Sequence, residues 1–164
     1  METTTMQSCF DCIQRPERIF CDLPEDALSA FDQIKSVRLQ PKGTVLFQEG
    51  FPPKDVFVLC EGRARLSICA EDRRRLTLRV AGPGEVLGLS ASLSDTPYEV
   101  TAELMDNGRV ARVRRKDLLL FLRQHPDACV RVVNMLSQDL HVAYDRVRSV
   151  GLGKARRVHQ TRTL

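Results

Sequence analysis

Three cysteines near the N-terminus have the spacing that most directly suggests chemistry. Cys9 and Cys12 form a C-x2-C pair, and Cys21 follows in the same segment. Two thiolates at this spacing can reach one metal centre, and a third nearby thiolate can join them. Residues 1–22 are therefore predicted to form a cysteine-bearing leader that binds an iron–sulfur cluster or zinc, with three surface thiols as the alternative.

The remaining cysteines have a different interpretation. Cys60 and Cys69 lie in apolar, strand-like segments, and Cys129 lies on an apolar helix seam. Cysteine in such places usually behaves as a small buried hydrophobe. The N-terminus has no secretory signal, and no apolar run approaches the ~18 residues of a membrane span. We therefore expect a cytoplasmic chain with reduced thiols and no membrane partner.

Catalytic patterns are missing from the sequence. The histidines, His125, His141 and His159, all fall in the C-terminal part rather than on strands, where a barrel-type metalloenzyme would need them. The glycine-rich stretch 82–84 lacks the Lys-Ser/Thr pair of a phosphate-binding loop, and no Ser-centred nucleophile elbow occurs. We expect no enzymatic activity.

The positive charge is concentrated at the C-terminal end. The net charge of the whole chain is +4, and residues 146–164 contribute basic residues but no acidic residue. The basic residues of that stretch are Arg146, Arg148, Lys154, Arg156, Arg157 and Arg162. A basic tail over 152–164 is expected to make weak, sequence-independent contacts with DNA, or else to remain solvated and disordered.

Short strands are the elements that must position these residues. From 36 to about 115, β-rich segments alternate closely with Gly, Pro and Asn turns, which is typical of a barrel or sandwich. The predicted strands cover 37–39, 45–47, 56–60, 64–68, 76–80, 100–104 and 110–113. Helices are predicted near Pro24, over 116–123 and from Pro126. The fold class is mainly β with α, an antiparallel, jelly-roll-like β-roll over 23–125.

A long helix over 126–151 carries the strongest periodic signal. Its apolar residues recur at alternating steps of four and three, which is the a/d seam of a coiled coil. The seam consists of Cys129, Val133, Leu136, Leu140, Ala143, Val147 and Val150. It predicts a homodimer through this helix, with packing on its own domain as the alternative. The helix is expected to end at Gly151-Leu152-Gly153.

Three glycine-bearing blocks resemble the corners of the cyclic-nucleotide-binding β-roll. They are 43–50 (GTVLFQEG), 56–62 (VFVLCEG) and 83–88 (PGEVLG). A tightly wound roll reverses at corners where a positive φ favours glycine. Over 23–155 the chain resembles the sensory half of the catabolite-activator/fumarate-nitrate-reduction (Crp/Fnr) family of transcription regulators. The resemblance implies that an effector in the roll shifts the paired long helices.

The resemblance also implies an effector pocket. Its residues are Gly84, Glu85, Val86, Gly88, Leu89, Val100, Thr101 and Ala102. The family's cyclic-nucleotide binders place an Arg against the phosphate where this chain has Val100, and no Lys or Arg occurs from Val80 to Gly108. A buried phosphate without a cation is strongly disfavoured. Cyclic AMP is therefore not expected as the effector, and Arg79 and Arg109 are the nearest cations in sequence.

The two ends of the chain complete the resemblance. The leader is similar to the N-terminal cysteine cluster of the oxygen-sensing members, although their fourth cysteine has no counterpart near Ala111. Residues 152–164 resemble the start of the junction to a winged helix-turn-helix, and they are too few to form one. The sequence predicts a sensory module that forms homodimers, or heterodimers with full-length relatives. A stand-alone ligand or redox sensor without a DNA role is the alternative.

Overall fold

The computed structural model describes the backbone of residues 23–162 and the side chains of residues 23–151. The first half of the described chain contains α1 (Glu25–Ile34), β1 (Lys35–Gln40), β2 (Val45–Phe47), β3 (Asp55–Glu61), β4 (Ala64–Cys69) and β5 (Arg75–Ala81). The second half contains β6 (Val86–Leu87), α2 (Leu89–Ser94), β7 (Thr101–Leu104), β8 (Gly108–Arg114), α3 (Arg115–Gln124) and α4 (Pro126–Arg162). Two compact units divide within α4, one ending at Cys129 and the other beginning at Val130.

The strands form two antiparallel sheets of four strands each. The first sheet has the order β1-β8-β3-β6, and the second has the order β2-β7-β4-β5. All seven predicted strands are present, within two residues of their predicted ends. The five glycines of the three corner blocks, Gly43, Gly50, Gly62, Gly84 and Gly88, all have positive φ. The predicted jelly-roll-like β-roll is confirmed.

The alternation of side chains along β3 separates the two layers of the core. Phe57 and Leu59 belong to the apolar cluster between the sheets, whereas Val56 and Val58 are buried on the opposite face. On that opposite face α3 packs against β3 and β8, and α1 packs against α3. The first sheet is thus covered on both faces, and this double burial fixes its register.

Two elements were not predicted, namely β6 and α2. β6 has only two residues, too few for an alternating pattern. The sequence of α2 is LSASLS, and serine side chains compete with the backbone for hydrogen bonds inside a helix. Here tertiary burial of Leu89, Ala91 and Ser92 compensates for the weak local propensity.

The long helix ends later than the sequence predicts. α4 continues to Arg162, so the expected end at Gly151 and the expected non-helical tail from 152 onwards are both corrected. Gly151 does not adopt the positive φ with which a glycine closes a helix. The two glycines inside this helix, Gly151 and Gly153, each cost only about 1 kcal/mol relative to alanine, and the Lys, Ala and Arg residues that follow are good helix formers.

The corner at Gly88 gives a test of how tightly the roll is packed. A Cβ at Gly88 would lie 3.0 Å from Tyr98 Cε1, whereas a Cβ at Gly50 would meet nothing within 4 Å. Both residues have nearly the same positive φ, 82° and 86°. We expect Gly50→Ala to lower the free energy of unfolding by about 1–2 kcal/mol from φ strain. Gly88→Ala should lower the free energy of unfolding by about 1–3 kcal/mol more than Gly50→Ala does, because the added methyl group overpacks the corner. Urea denaturation measures both, and equal losses would contradict the packing argument.

Candidate functional site

The predicted pocket residues lie around the core between the two sheets. Leu89 and Ala102 are buried, and Val100 is partly buried against the apolar cluster between the sheets. The cluster consists of Phe47, Phe57, Leu59, Ala64, Leu66, Ala81, Leu87, Ala91, Tyr98, Ala102, Leu104 and Val110. We refer to residues 84–102 as the cassette. The fold thus brings the two ends of the cassette together on an apolar surface.

Glu85, the acidic residue at the start of the cassette, is bonded to neighbouring groups. Its Oε1 accepts a hydrogen bond from Arg79 Nη1 at 2.5 Å, and its Oε2 accepts one from the Gly82 backbone N–H. Arg109, the other cation close in sequence, pairs with Glu61 at 3.1 Å. The two cations nearest to the cassette in sequence are therefore already paired with carboxylates.

Tyr98 and Thr101 attach the end of the cassette to the roll. The Tyr98 hydroxyl donates to the Asp55 carbonyl at 2.6 Å and accepts from the Asp55 N–H at 3.1 Å. The Tyr98 ring stacks on Phe47 with 4.3 Å between centroids. Thr101 Oγ1 accepts from the Glu49 N–H at 3.0 Å. The hydroxyl groups of Tyr98 and Thr101 are therefore occupied by hydrogen bonds to backbone groups of the roll. The sequence analysis missed Tyr98, although an aromatic residue after Pro97 in a polar turn was a usable signal.

Arg115 is a second residue that the sequence analysis missed. Its Nε donates to the Ser92 carbonyl at 2.7 Å, and its Nη2 lies 3.7 Å from Asp95 Oδ1. A cation beside the last carbonyls of a helix is favourable, so Arg115 fixes the C-terminal end of α2 against the start of α3. No sequence signal links these residues, because they are far apart along the chain.

A cleft of about 270 Å³ lies where β4 begins and β7 ends. It is lined by Lys42, Gly43, Arg63, Arg65, Glu103, Leu104, Met105 and Asp106. Arg63 binds Asp106 with two hydrogen bonds, of 2.8 and 3.0 Å. This pairing lowers the pKa of Asp106 and raises the pKa of Arg63. Acidic side chains thus balance most of the positive charge in this cleft.

The predicted seam of α4 carries exposed apolar side chains. Val133, Leu140, Val147 and Val150 are each more than half exposed, with Val147 at 71%. Cys129 and Ala143 are also exposed, and Leu136 is partly exposed. Large apolar side chains at this regular spacing mark a surface that a partner could cover.

Residues 37–125 match the family model for the cyclic nucleotide-binding domain. The chain belongs to this family. Its relatives include the anaerobic regulatory protein of Bacillus subtilis, 22% identical over 141 residues, which cover 85% of this chain and 59% of that protein. The transcriptional activatory protein AadR of Rhodopseudomonas palustris is 30% identical over 115 residues, covering 70% of this chain and 46% of AadR. The chain therefore spans about half the length of these relatives.

A solved structure of similar fold is the catabolite activator protein of Thermus thermophilus. It matches with a TM-score of 0.73 at 21% identity, over 81% of this chain and 62% of that one. This likeness supports the fold. The recognition of a Crp/Fnr-type sensory domain from its glycine corners is confirmed by the family match and by these relatives.

The described residues can be compared with the predictions about membrane contact and metal binding. Among the described residues, no helix is both long and apolar enough to cross a membrane. Within the same part of the chain, no three His, Cys, Asp or Glu side chains form a group that could hold a metal ion. The predicted metal ligands Cys9, Cys12 and Cys21 lie outside the described residues.

Replacing Tyr98 tests whether its hydroxyl holds the cassette. Tyr98→Phe leaves the Asp55 backbone groups without their partner, and we expect a loss of about 1–3 kcal/mol in the free energy of unfolding. Tyr144→Phe is the matched control, since Tyr144 is 59% exposed, and it should change stability by less than about 0.5 kcal/mol. Thermal or urea unfolding at neutral pH measures both.

The same tyrosine should give a signature at high pH. Burial raises the pKa of Tyr98 above its ordinary value of 10.0. The folded state therefore retains this proton at a pH where the unfolded chain has lost it, so stability should fall as the pH rises above about 10. The fall should be smaller in Tyr98→Phe than in the Tyr144→Phe control. Parallel stability curves would contradict this assignment.

Proposed function

We propose that this chain is the sensory and dimerisation module of a Crp/Fnr-type transcription regulator, and that it responds to a small effector other than a cyclic nucleotide. Membership of the cyclic nucleotide-binding domain family and the regulatory names of the relatives support the regulator role. The observation that best supports dimerisation is the exposed apolar seam of α4. A sensor that passes its signal to a second copy needs such a surface.

The composition of the seam favours two parallel helices. Two of the three a positions, Val133 and Val147, are β-branched and the third is Leu140, while Leu136 is the one leucine among the d positions. β-Branched residues at a with leucine at d favour a parallel dimer over larger assemblies. The same seam would also admit a full-length relative, and we propose that mixed dimers of this kind are a second mode of action.

Exclusion of cyclic nucleotides follows from the charges around the cassette. Val100 packs on the apolar cluster where the binding members of the family have an arginine. Glu85 already accepts hydrogen bonds from Arg79 and Gly82, so a ribose hydroxyl would have to share this carboxylate with both donors. Burial of an unpaired phosphate costs several kcal/mol, which contacts with ribose alone would not offset.

The two ends of the chain suggest further partners. Cys9, Cys12 and Cys21 are proposed ligands of an iron–sulfur cluster or zinc, which would make the module sensitive to redox state. The basic residues between 154 and 162 are proposed to neutralise a few DNA phosphates, which gives weak and salt-sensitive binding without base readout. A stand-alone sensor without a DNA role is the second candidate.

Dimerisation can be tested by placing a charge on the seam. Leu140→Glu would bury a carboxylate in the proposed interface at several kcal/mol of cost, so we expect the dimer to dissociate. Val142→Glu is the matched control, because Val142 and Leu140 are 50% and 52% exposed but only Leu140 lies on the seam. Sedimentation equilibrium at tens of micromolar protein measures the mass. A monomeric wild type, or equal dissociation by both variants, would refute the proposed interface.

Isothermal titration calorimetry tests the exclusion of cyclic AMP. We expect no saturable heat at micromolar ligand concentrations, because the cassette offers no unpaired cation to the phosphate. The cyclic AMP receptor protein of Thermus thermophilus, 26% identical over 117 residues, is the positive control. A micromolar dissociation constant for this chain would contradict the proposed exclusion of cyclic AMP.

A further inference from the structure

A small cleft opens between the two sheets, away from the cassette. Its volume is about 70 Å³, and it is lined by Ser36, Arg38, Gln40, Leu46, Phe57, Val110 and Arg112. β1 is an edge strand of the first sheet and β2 is an edge strand of the second. Because the lining combines residues of β1 and β2, the cleft lies where these two free edges approach each other.

The register of the first sheet explains which side chains meet in the cleft. Arg112 of β8 lies opposite Ser36 on one side and opposite Phe57 on the other. Arg38 lies opposite Val110 in the next row of the same face. Directly opposed residues share a face, and diagonal neighbours are ~7–8 Å apart. Arg38 and Arg112 are such diagonal neighbours, so their guanidinium groups can converge on one anion.

The charges around the cleft are only partly balanced. On the face of the cleft, β1 and β8 carry Arg38, Arg112 and Arg114 and no acidic residue, whereas their other two cations, Lys35 and Arg109, lie on the opposite face. Lys35 pairs with Asp32 at 2.8 Å and Arg109 with Glu61 at 3.1 Å. Arg112 approaches Asp55 only to 3.9 Å. Within residues 23–151, no ion pair of Arg38 is found. The cleft therefore has a positive potential that an anion would neutralise.

We propose that this cleft binds the anionic group of a small organic phosphate or carboxylate. Arg38 and Arg112 would hold the anion through charge-assisted hydrogen bonds, which guanidinium groups make with both kinds of oxyanion. Leu46 and Phe57 would contact the apolar part of the ligand. The volume is far below the ~300–1,000 Å³ of pockets that enclose drug-sized ligands, so a whole nucleotide would not fit.

Residues that line the cleft also pack against the cassette, so a ligand in the cleft could change the packing of the cassette. Phe57 and Val110 line the cleft and also belong to the apolar cluster that contains Leu87, Tyr98 and Ala102. A ligand that moves Phe57 would press directly on the ring of Phe47, whose centroid lies 5.9 Å away. This inference rests on the proposed role as an effector sensor and specifies the chemical class of that effector.

Phenyl phosphate is a suitable probe, titrated into the full chain and followed by amide chemical shifts. We expect saturable shifts at Ser36, Arg38, Val110 and Arg112. Arg38→Gln and Arg112→Gln should each weaken binding about tenfold. Arg65→Gln, the same change in the other cleft, should alter affinity by less than about twofold. Phenol, which lacks the anion, should give no saturable shift.

The possible results separate this inference from the proposed function. Shifts confined to the cassette or the other cleft, equal binding of phenol, or unchanged affinity in both cleft variants would overturn the anion site. Mapping on the wild-type chain decides the location even if a variant fails to fold. None of these results would alter the sedimentation test, so the dimeric sensor module could stand without this anion site.

Discussion

The stacked rings of Phe47, Phe57 and Tyr98 form the contact on which the rest of the roll depends. Phe57 comes from the first sheet, Phe47 from the second, and Tyr98 from the cassette, so these rings join three parts of the chain. A close-packed interior of this kind resists any change of volume. An effector that reached the core would have to displace a ring, and a small movement of Phe47 would be transmitted to both sheets and to the cassette.

This packing also explains how much the sequence could predict. The strands and the positive-φ corners were predicted because alternation and glycine are local signals. The expectation of a missing cation at Val100 came instead from the resemblance to the family's nucleotide binders. α2 and the end of α4 were mispredicted because burial and neighbouring helix formers outweighed serine and glycine preferences. The bond between Arg115 and the Ser92 carbonyl depends on folding that joins distant segments, so no local pattern could reveal it.

Folding changes where the positive charge of the chain is concentrated. Along the sequence the basic residues of 146–164 dominate, and the strands look unremarkable in charge. The sheet then places β1 beside β8, which brings five basic residues from two distant segments together, three of them (Arg38, Arg112 and Arg114) on the same face. The acidic partners come from α1 and from both ends of β3 and engage some of these cations more closely than others. A cation absent from the cassette is thus supplied elsewhere on the roll.

The seam of α4 has a composition suited to a dimer that can be adjusted. Leucine at every d position would give a strong, fixed pair of helices, but here Cys129 and Ala143 take two of these positions. Small side chains bury less apolar area, and the free energy of association falls with the area that is lost. If the seam is the dimer interface, its two helices are held by fewer large contacts than in a leucine zipper. A change in the roll worth a few kcal/mol could then shift their pairing.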